Sequence, residues 1–286
     1  MASPKTEAPV GYAEPQSRAA LRGARRVLIK AGTAIVTNED GHPSLTRLGS
    51  IVEQICELHR KGIQVMFVSS GAVGMGKRLL KRQTRMTMSL MELHNEFDEK
   101  DRKNLLDGEE GQFSSSPSLI GRSPSLLNFL ERSDRPSTAA ERKKTYDSAC
   151  AAAGQFEMMN LYSSLFDQFD VAASQLLLTQ ADFQDETRLK NLQNAVERLM
   201  SCGIVPIINE NDAVSANLGY TPGDVFSDND SLAGLCSRHF GAEICVLLTD
   251  VEGVYDRPPS EEGATMLSFY NGSQSVGIGE KSSRGE

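Results

Sequence analysis

The chain has 286 residues, 39% of them apolar, enough to bury a large core in one α/β domain. Its net charge of -8 and isoelectric point near 5.2 exclude the electrostatic attraction on which nucleic-acid binders rely, and argue against anionic membrane surfaces. Five cysteines without a short paired spacing exclude a zinc or disulfide framework and fit a reducing compartment.

Residues 1–24 hold Glu7 and Glu14 and lack the apolar stretch of a secretory signal. They are expected to form a mobile tail on a cytoplasmic protein, since transit peptides also avoid acids. From there, short aliphatic runs recur between helical patterns: VLI at 27–29, IQVMFV at 63–68, VAASQLLL at 171–178, IVPII at 204–208 and ICVLL at 244–248. Such runs read as strands of a parallel sheet buried on both faces. Between the first two, Leu48, Ile51, Val52 and Ile55 keep helical spacing, with Thr46 as N-cap and Gly62 as stop. Leu189, Leu192, Val196 and Leu199 repeat the pattern before Gly203. Strand, helix, strand at this spacing predicts a doubly wound, mainly parallel sheet sandwiched by helices. The segment 77–147 breaks the rhythm with a basic cluster (Lys77, Arg78, Lys81, Arg82, Arg85) and Ser/Pro-rich stretches, and is predicted to be a partly disordered insertion. In so acidic a protein the cluster reads as a solvated helix face before it reads as an anion site.

Ligands of open parallel sheets bind beyond the carboxyl ends of the strands. Here those ends lead into Lys30, Ala31, Gly32 and Thr33; Ser69, Ser70, Gly71 and Ala72; Thr179; Asn209 to Asp212; and Thr249 and Asp250. Lys30 is a snorkelling cation or a phosphate-binding group; Gly32 beside it, which lets backbone approach a ligand, favours the second. GAVGMGKR at 71–78 nearly spells the phosphate-loop pattern, but Arg78 stands where the Mg²⁺-holding hydroxyl belongs. The remaining readings are a glycine turn that packs a helix, and backbone amides of Ser70, Gly71 and Ala72 that take a carboxylate or a phosphoryl group. NENDAV (209–214) and SDND (227–230) serve as turns and caps, or flank a binding loop, NLGYTPGDVF, over the sheet edge. Their carboxylates and amides suit an α-ammonium group. Asp230 also suits a helix cap. The four histidines and Cys150 show no spacing for a metal site or a nucleophile triad.

Taken in order, VLIKAGT, FVSSGAVGMGK, ACAAAGQ, IVPIINENDAV, SDNDSLA and LLTDVEGVYD resemble the amino-acid kinase family, and within it the glutamate 5-kinases. ACAAAGQ, TDVEGVYDRPPS and QSVGIGEKSSRG resemble more narrowly the kinase half of bifunctional pyrroline-5-carboxylate synthases. The likeness covers about 25–76 and 148–286. It implies the amino-acid kinase fold over 25–286, and transfer of the γ-phosphoryl group of ATP to the side-chain carboxylate of L-glutamate, the first step of proline synthesis. Residue by residue it implies that Lys30 neutralises the moving phosphoryl group and Asp230 orients catalytic lysines. Ser70, Asp212 and Asn229 then match substrate positions, joined by Gly71 and Ala72. Thr249 and Asp250 match nucleotide positions, joined by Lys30, Gly32 and Thr33. Mg²⁺ arrives with ATP, so no standing metal site is expected.

The resemblance also implies a homo-oligomer, feedback inhibition by proline, and a glutamyl phosphate reductase domain following this one. The family's glycine-rich segment with a second phosphate-binding lysine is expected after GEKSSRG, so the sequence reads as a piece of a longer enzyme. Two alternatives stand beside this reading: a sister kinase acting on aspartate, acetylglutamate or a nucleoside monophosphate, and a ligand-binding or assembly domain without turnover.

Overall fold

The computed structural model describes residues 19–38, 40–87, 139–212, 229–257 and 261–268. Within them a 3-10 turn (Ala20–Gly23) leads into β1 (Arg26–Ala31), the short α1 (Thr33–Val36), α2 (Leu45–Arg60), β2 (Gln64–Ser69) and α3 (Ala72–Thr87). The long α4 (Ala139–Asp167) is followed by β3 (Ala173–Leu178), α5 (Gln180–Gln184), α6 (Glu186–Ser201) and β4 (Val205–Glu210). Then come α7 (Asn229–His239), β5 (Ile244–Leu248) and a two-stranded antiparallel ribbon, β6 (Val254–Tyr255) and β7 (Met266–Leu267). Of the tail expected over 1–24, residues 1–18 lie outside the described residues, as do 88–138 of the insertion expected over 77–147. The two ends of that insertion continue α3 and α4 as helix.

All five expected strands form one parallel sheet in the order β3-β4-β2-β1-β5. Alternation along the strands divides the core in two. Val27, Ile29 and Ala31 of β1 with Val65 and Phe67 of β2 pack against α2 and α4 through Val52, Ile55, Met158, Tyr162 and Phe166. Leu28, Met66, Val68 and Ile208 pack on the other face against α6 and α7 through Val196, Met200, Leu232 and Cys236. Each fully buried aliphatic side chain of these layers contributes about 1.5–3 kcal/mol. Helices therefore cover both faces, as the doubly wound reading requires.

Burial on both faces holds for β1, β2 and β4 but not for the outer strands. In β5, Val246 is 38% and Leu247 49% exposed, because among the described residues β1 alone pairs with this strand. Both helix stops stand: Gly62 and Gly203 take φ of +79° and +72°, the left-handed geometry only glycine adopts freely. The N-cap shifts, however. Ser44 rather than Thr46 precedes α2, its carbonyl accepting from Leu48 N–H at 2.9 Å, while no side-chain cap forms. Hydrophobic spacing alone leaves such a boundary uncertain by a residue or two.

GAVGMGKR is not a phosphate loop. Residues 72–87 are helix, and Gly76 faces the backbone of α4. A Cβ on Gly76 would lie 1.8 Å from the Cys150 carbonyl oxygen, and one on Gly154 would lie 1.8 Å from that of Ala72. The two glycines let α3 and α4 cross backbone to backbone. Lys77 points away to Asp147, at 2.8 Å. No helix among the described residues is long and apolar enough to cross a membrane.

Candidate functional site

Strand parity decides what stands at the carboxyl-terminal edge of the sheet. Lys30 follows Leu28 on the α7 face, where an apolar residue would otherwise sit. It is 8% exposed, and its Nζ meets Asp230 Oδ1, in the first turn of α7, at 2.5 Å. More than half of the Asp230 side chain is exposed, so this pair adds little to stability and serves to aim the ammonium. A Cβ on Gly32 would come 3.4 Å from Lys30 Nζ, which keeps the ammonium beside bare backbone. The Gly32 N–H donates to Leu248 O at 3.4 Å. This tie brings the loop carrying Gly32 and Thr33 to the end of β5, where Thr249 and Asp250 follow, both exposed. Thr249 Oγ1 accepts from Val251 N–H at 2.9 Å, closing the turn.

One strand over, Ser70 follows Met66 and Val68 on the same α7 face. Asn229, adjacent to Asp230, donates from Nδ2 to Ser70 Oγ at 2.8 Å and to Asn209 Oδ1 at 3.1 Å. Asn209 in turn donates to Gln155 Oε1 of α4 at 2.8 Å. This chain of side-chain bonds runs from β2 through α7 and β4 to α4, and fixes all four groups. Two of its atoms stay open: Asn229 Oδ1, an acceptor, and Gln155 Nε2, a donor, are buried with no hydrogen-bond partner. Buried polar atoms are rarely left so, and an acceptor and a donor orphaned at one edge fit a ligand carrying both an ammonium and a carboxylate. Gly71, with φ +108°, turns the chain from β2 into α3, and a Cβ there would press on Val36 at 3.1 Å. Ala72 begins α3 behind it.

Asp212 stands apart. It lines a cleft of about 290 Å³ with Gln155, Phe156, Gln175 and Leu177, and its backbone carbonyl accepts from Ser148 Oγ at 3.0 Å. Burial pushes its carboxyl above the usual carboxylate range, because no cation among the described residues offsets the lost hydration. No hydrogen bond among them joins its side chain to Ser70 or Asn229; Gln155, which lines the cleft and ends the amide chain, connects the two.

The structure thus gathers Lys30, Gly32, Thr33, Thr249, Asp250 and Asp230 at the ends of β1 and β5, and Ser70, Gly71, Ala72 and Asn229 at the ends of β2 and β4, while Asp212 lies past the end of β4 in the adjoining cleft. The loop NLGYTPGDVF lies outside the described residues. Among those described, no cluster of three or more histidine, cysteine or acidic side chains is placed to hold a metal ion. Sequence reasoning placed Ser69 and Asn209 at strand ends without a specific partner, and assigned no role to Gln155 or Tyr162. Gln155 and Tyr162 lie seven residues apart, two turns of one helix, so they share a face. That spacing was the available signal.

The model of the amino acid kinase family matches residues 25–274. The chain is 35% identical over 271 residues to delta-1-pyrroline-5-carboxylate synthase 1 of Oryza sativa subsp. japonica, covering 93% of this chain and 32% of that protein. It is 33% identical to delta-1-pyrroline-5-carboxylate synthase A of Arabidopsis thaliana, covering 89% and 30%. Against glutamate 5-kinase of Streptococcus thermophilus the identity is 30% over 246 residues, covering 86% of this chain and 71% of that one. The chain spans about a third of the length of the synthases it matches. Among solved structures it is similar to an isopentenyl phosphate kinase, at 14% identity and a TM-score of 0.47, covering 85% and 79%.

Proposed function

This chain belongs to the amino acid kinase family, and from that premise we propose that it phosphorylates the γ-carboxylate of L-glutamate with ATP, opening proline biosynthesis. The observation that carries the reading is the adjacency of two half-sites: Asp230 holds the buried Lys30, and the neighbouring Asn229 holds Ser70. Phosphoryl transfer asks for positioning and cationic neutralisation more than covalent chemistry. Lys30 supplies the charge, with Asp230 fixing its direction. Ser70 and the Gly71 and Ala72 amides take the carboxylate end of the amino acid. Asn229 Oδ1 and Asp212 take its ammonium, which relieves both the unpaired acceptor and the undercompensated carboxyl. Gly32, Thr33, Thr249 and Asp250 receive the nucleotide.

The γ-carboxylate is ionised at neutral pH, so no general base is required. Its oxygen forms the new bond to the γ-phosphorus as the bond to the bridging oxygen breaks, and ADP leaves with that electron pair. Mg²⁺ carried by the nucleotide would supply further neutralisation of the phosphates. The reading extends to a homo-oligomer, to proline competing for the glutamate pocket, to a reductase domain in the same polypeptide, and to a cytoplasmic setting.

The test is ADP release from ATP with L-glutamate, trapped by hydroxylamine as the hydroxamate, in the longest natural chain containing this sequence. Aspartate, acetylglutamate and nucleoside monophosphates serve as rival acceptors. Hydroxamate with L-glutamate alone supports the reading; turnover with another acceptor reassigns the substrate, and none with any leaves a binding domain.

A further inference from the structure

Ser69 and Ser70 are consecutive, so parity sends their side chains to opposite faces of the sheet. Ser70 meets Asn229 over α7; Ser69, fully buried, meets α4. There its Oγ lies 2.6 Å from Tyr162 Oη, 3.2 Å from the Ser70 carbonyl oxygen and 3.7 Å from Met158 Sδ. Satisfiability settles the direction of the first bond. Tyr162 is fully buried, with no other hydrogen-bond partner among the described contacts, so a hydroxyl that only accepted would leave its own proton unpaired. Burial also drives its ionisation far above the ordinary tyrosine range, so the proton stays. Tyr162 therefore donates to Ser69, and Ser69 donates to the Ser70 carbonyl.

The peptide joining Ser70 to Gly71 is trans, and a trans peptide points its C=O and N–H in opposite directions. With the Ser70 carbonyl drawn toward α4, the Gly71 N–H turns toward α7, the side of Lys30 and Asn229. The Gly71 N–H has no hydrogen-bond partner among the backbone contacts. We propose that Tyr162 is a positioning residue: through Ser69 it sets the tilt of the Ser70–Gly71 peptide and so aims the Gly71 amide and the Ser70 hydroxyl at the anionic acceptor. This inference rests on the carboxylate-binding role given to Ser70 and Gly71 above.

Tyr162→Phe removes the hydroxyl alone, since the ring keeps its edge-to-face packing on Phe67, with centroids 5.3 Å apart. It is expected to raise KM for L-glutamate at least about tenfold with KM for ATP unchanged, because misplaced positioning groups weaken productive binding. Ser69→Ala should do the same, the double variant no more than either alone, and Ser69→Thr should restore most of the loss. Equal loss toward both substrates, or additive losses, would reduce Tyr162 to a packing residue. The Gly71 amide resonance in a nitrogen-proton correlation spectrum separates this idea from the choice of substrate. It should move in Tyr162→Phe whatever acceptor the wild type uses, and an unmoved resonance would refute the relay even in an active glutamate kinase.

Discussion

At the amino-terminal edge of the sheet Arg26, His59 and Glu243 are tied into the fold by hydrogen bonds, whereas the carboxyl-terminal edge holds buried side-chain atoms that have no partner. Arg26 donates from Nε and Nη2 to Gln64 Oε1 at 2.9 and 2.8 Å, and from Nη1 to Glu197 and the Phe240 carbonyl at 2.6 Å each. His59 Nε2 meets Gly203 O at 2.9 Å, and Glu243 accepts from the Arg25 N–H at 2.7 Å. Across the sheet, Asn229 Oδ1 and Gln155 Nε2 are orphaned, and Asp212 is half-buried with no offsetting cation among the described residues. One edge closes the fold; the other leaves its polarity for a ligand. Unsatisfied polar groups are destabilising, so their concentration at one edge marks the site more clearly than any single residue there.

The largest separation between the edges is expected from Lys30→Met. It should lower turnover of ATP with L-glutamate at least about 100-fold, the scale seen when one transition-state charge contact is removed, with little change in denaturation midpoint. A modest kinetic loss would break the comparison at its centre. Gly76→Ala should show the reverse pattern, a stability loss of about 3 kcal/mol by urea denaturation, since the new methyl group collides with backbone that cannot yield. A stable, inactive Gly76→Ala would return the phosphate-loop reading to consideration. Arg26→Ala should cost about 1–3 kcal/mol by leaving Gln64 and the Phe240 carbonyl unpaired, with kcat/KM unaltered in the folded fraction.

The smallest effect concerns Asp212 and pH. Its raised carboxyl means that the native state holds a proton to higher pH than the unfolded chain does. Stability is therefore lost as pH rises from the ordinary aspartate range through the raised value. Asp212→Asn should remove that slope and slightly raise the thermal midpoint at neutral pH while weakening L-glutamate binding. In the wild type, an ammonium beside Asp212 favours its ionised form, so affinity should fall as pH drops through the raised value. Calorimetry across that range checks both signs, and an Asn variant that melts lower would contradict the cause assigned to the shift.

The strands were legible because each is a short aliphatic run that burial on a sheet explains. The strand ends were legible because such sheets collect ligands there. Lys30, Ser70 and the Asn229–Asp230 pair followed from those ends together with the family motifs. The partners Gln155 and Tyr162 did not: their seven-residue spacing puts them on one face of α4, but that this face turns toward β2 and β4 is decided by packing. The glycines of GAVGMGKR misled for a related reason: spacing shared with a phosphate loop arises equally from a helix crossing, and only the opposing Gly154 tells them apart. The exposed face of β5 was illegible because ICVLL reads as a buried strand whether or not a second neighbour covers it.

The central claim, that this edge activates a carboxylate as the nucleophile toward ATP, is tested most directly by following the oxygen. With L-glutamate carrying heavy oxygen in its γ-carboxylate and hydroxylamine as trap, attack on the acyl carbon leaves the bridging oxygen with phosphorus. The account predicts released phosphate that carries one label from glutamate, lost together with hydroxamate in Lys30→Met. Unlabelled phosphate would mean that water, not the carboxylate, receives the phosphoryl group, and would contradict it.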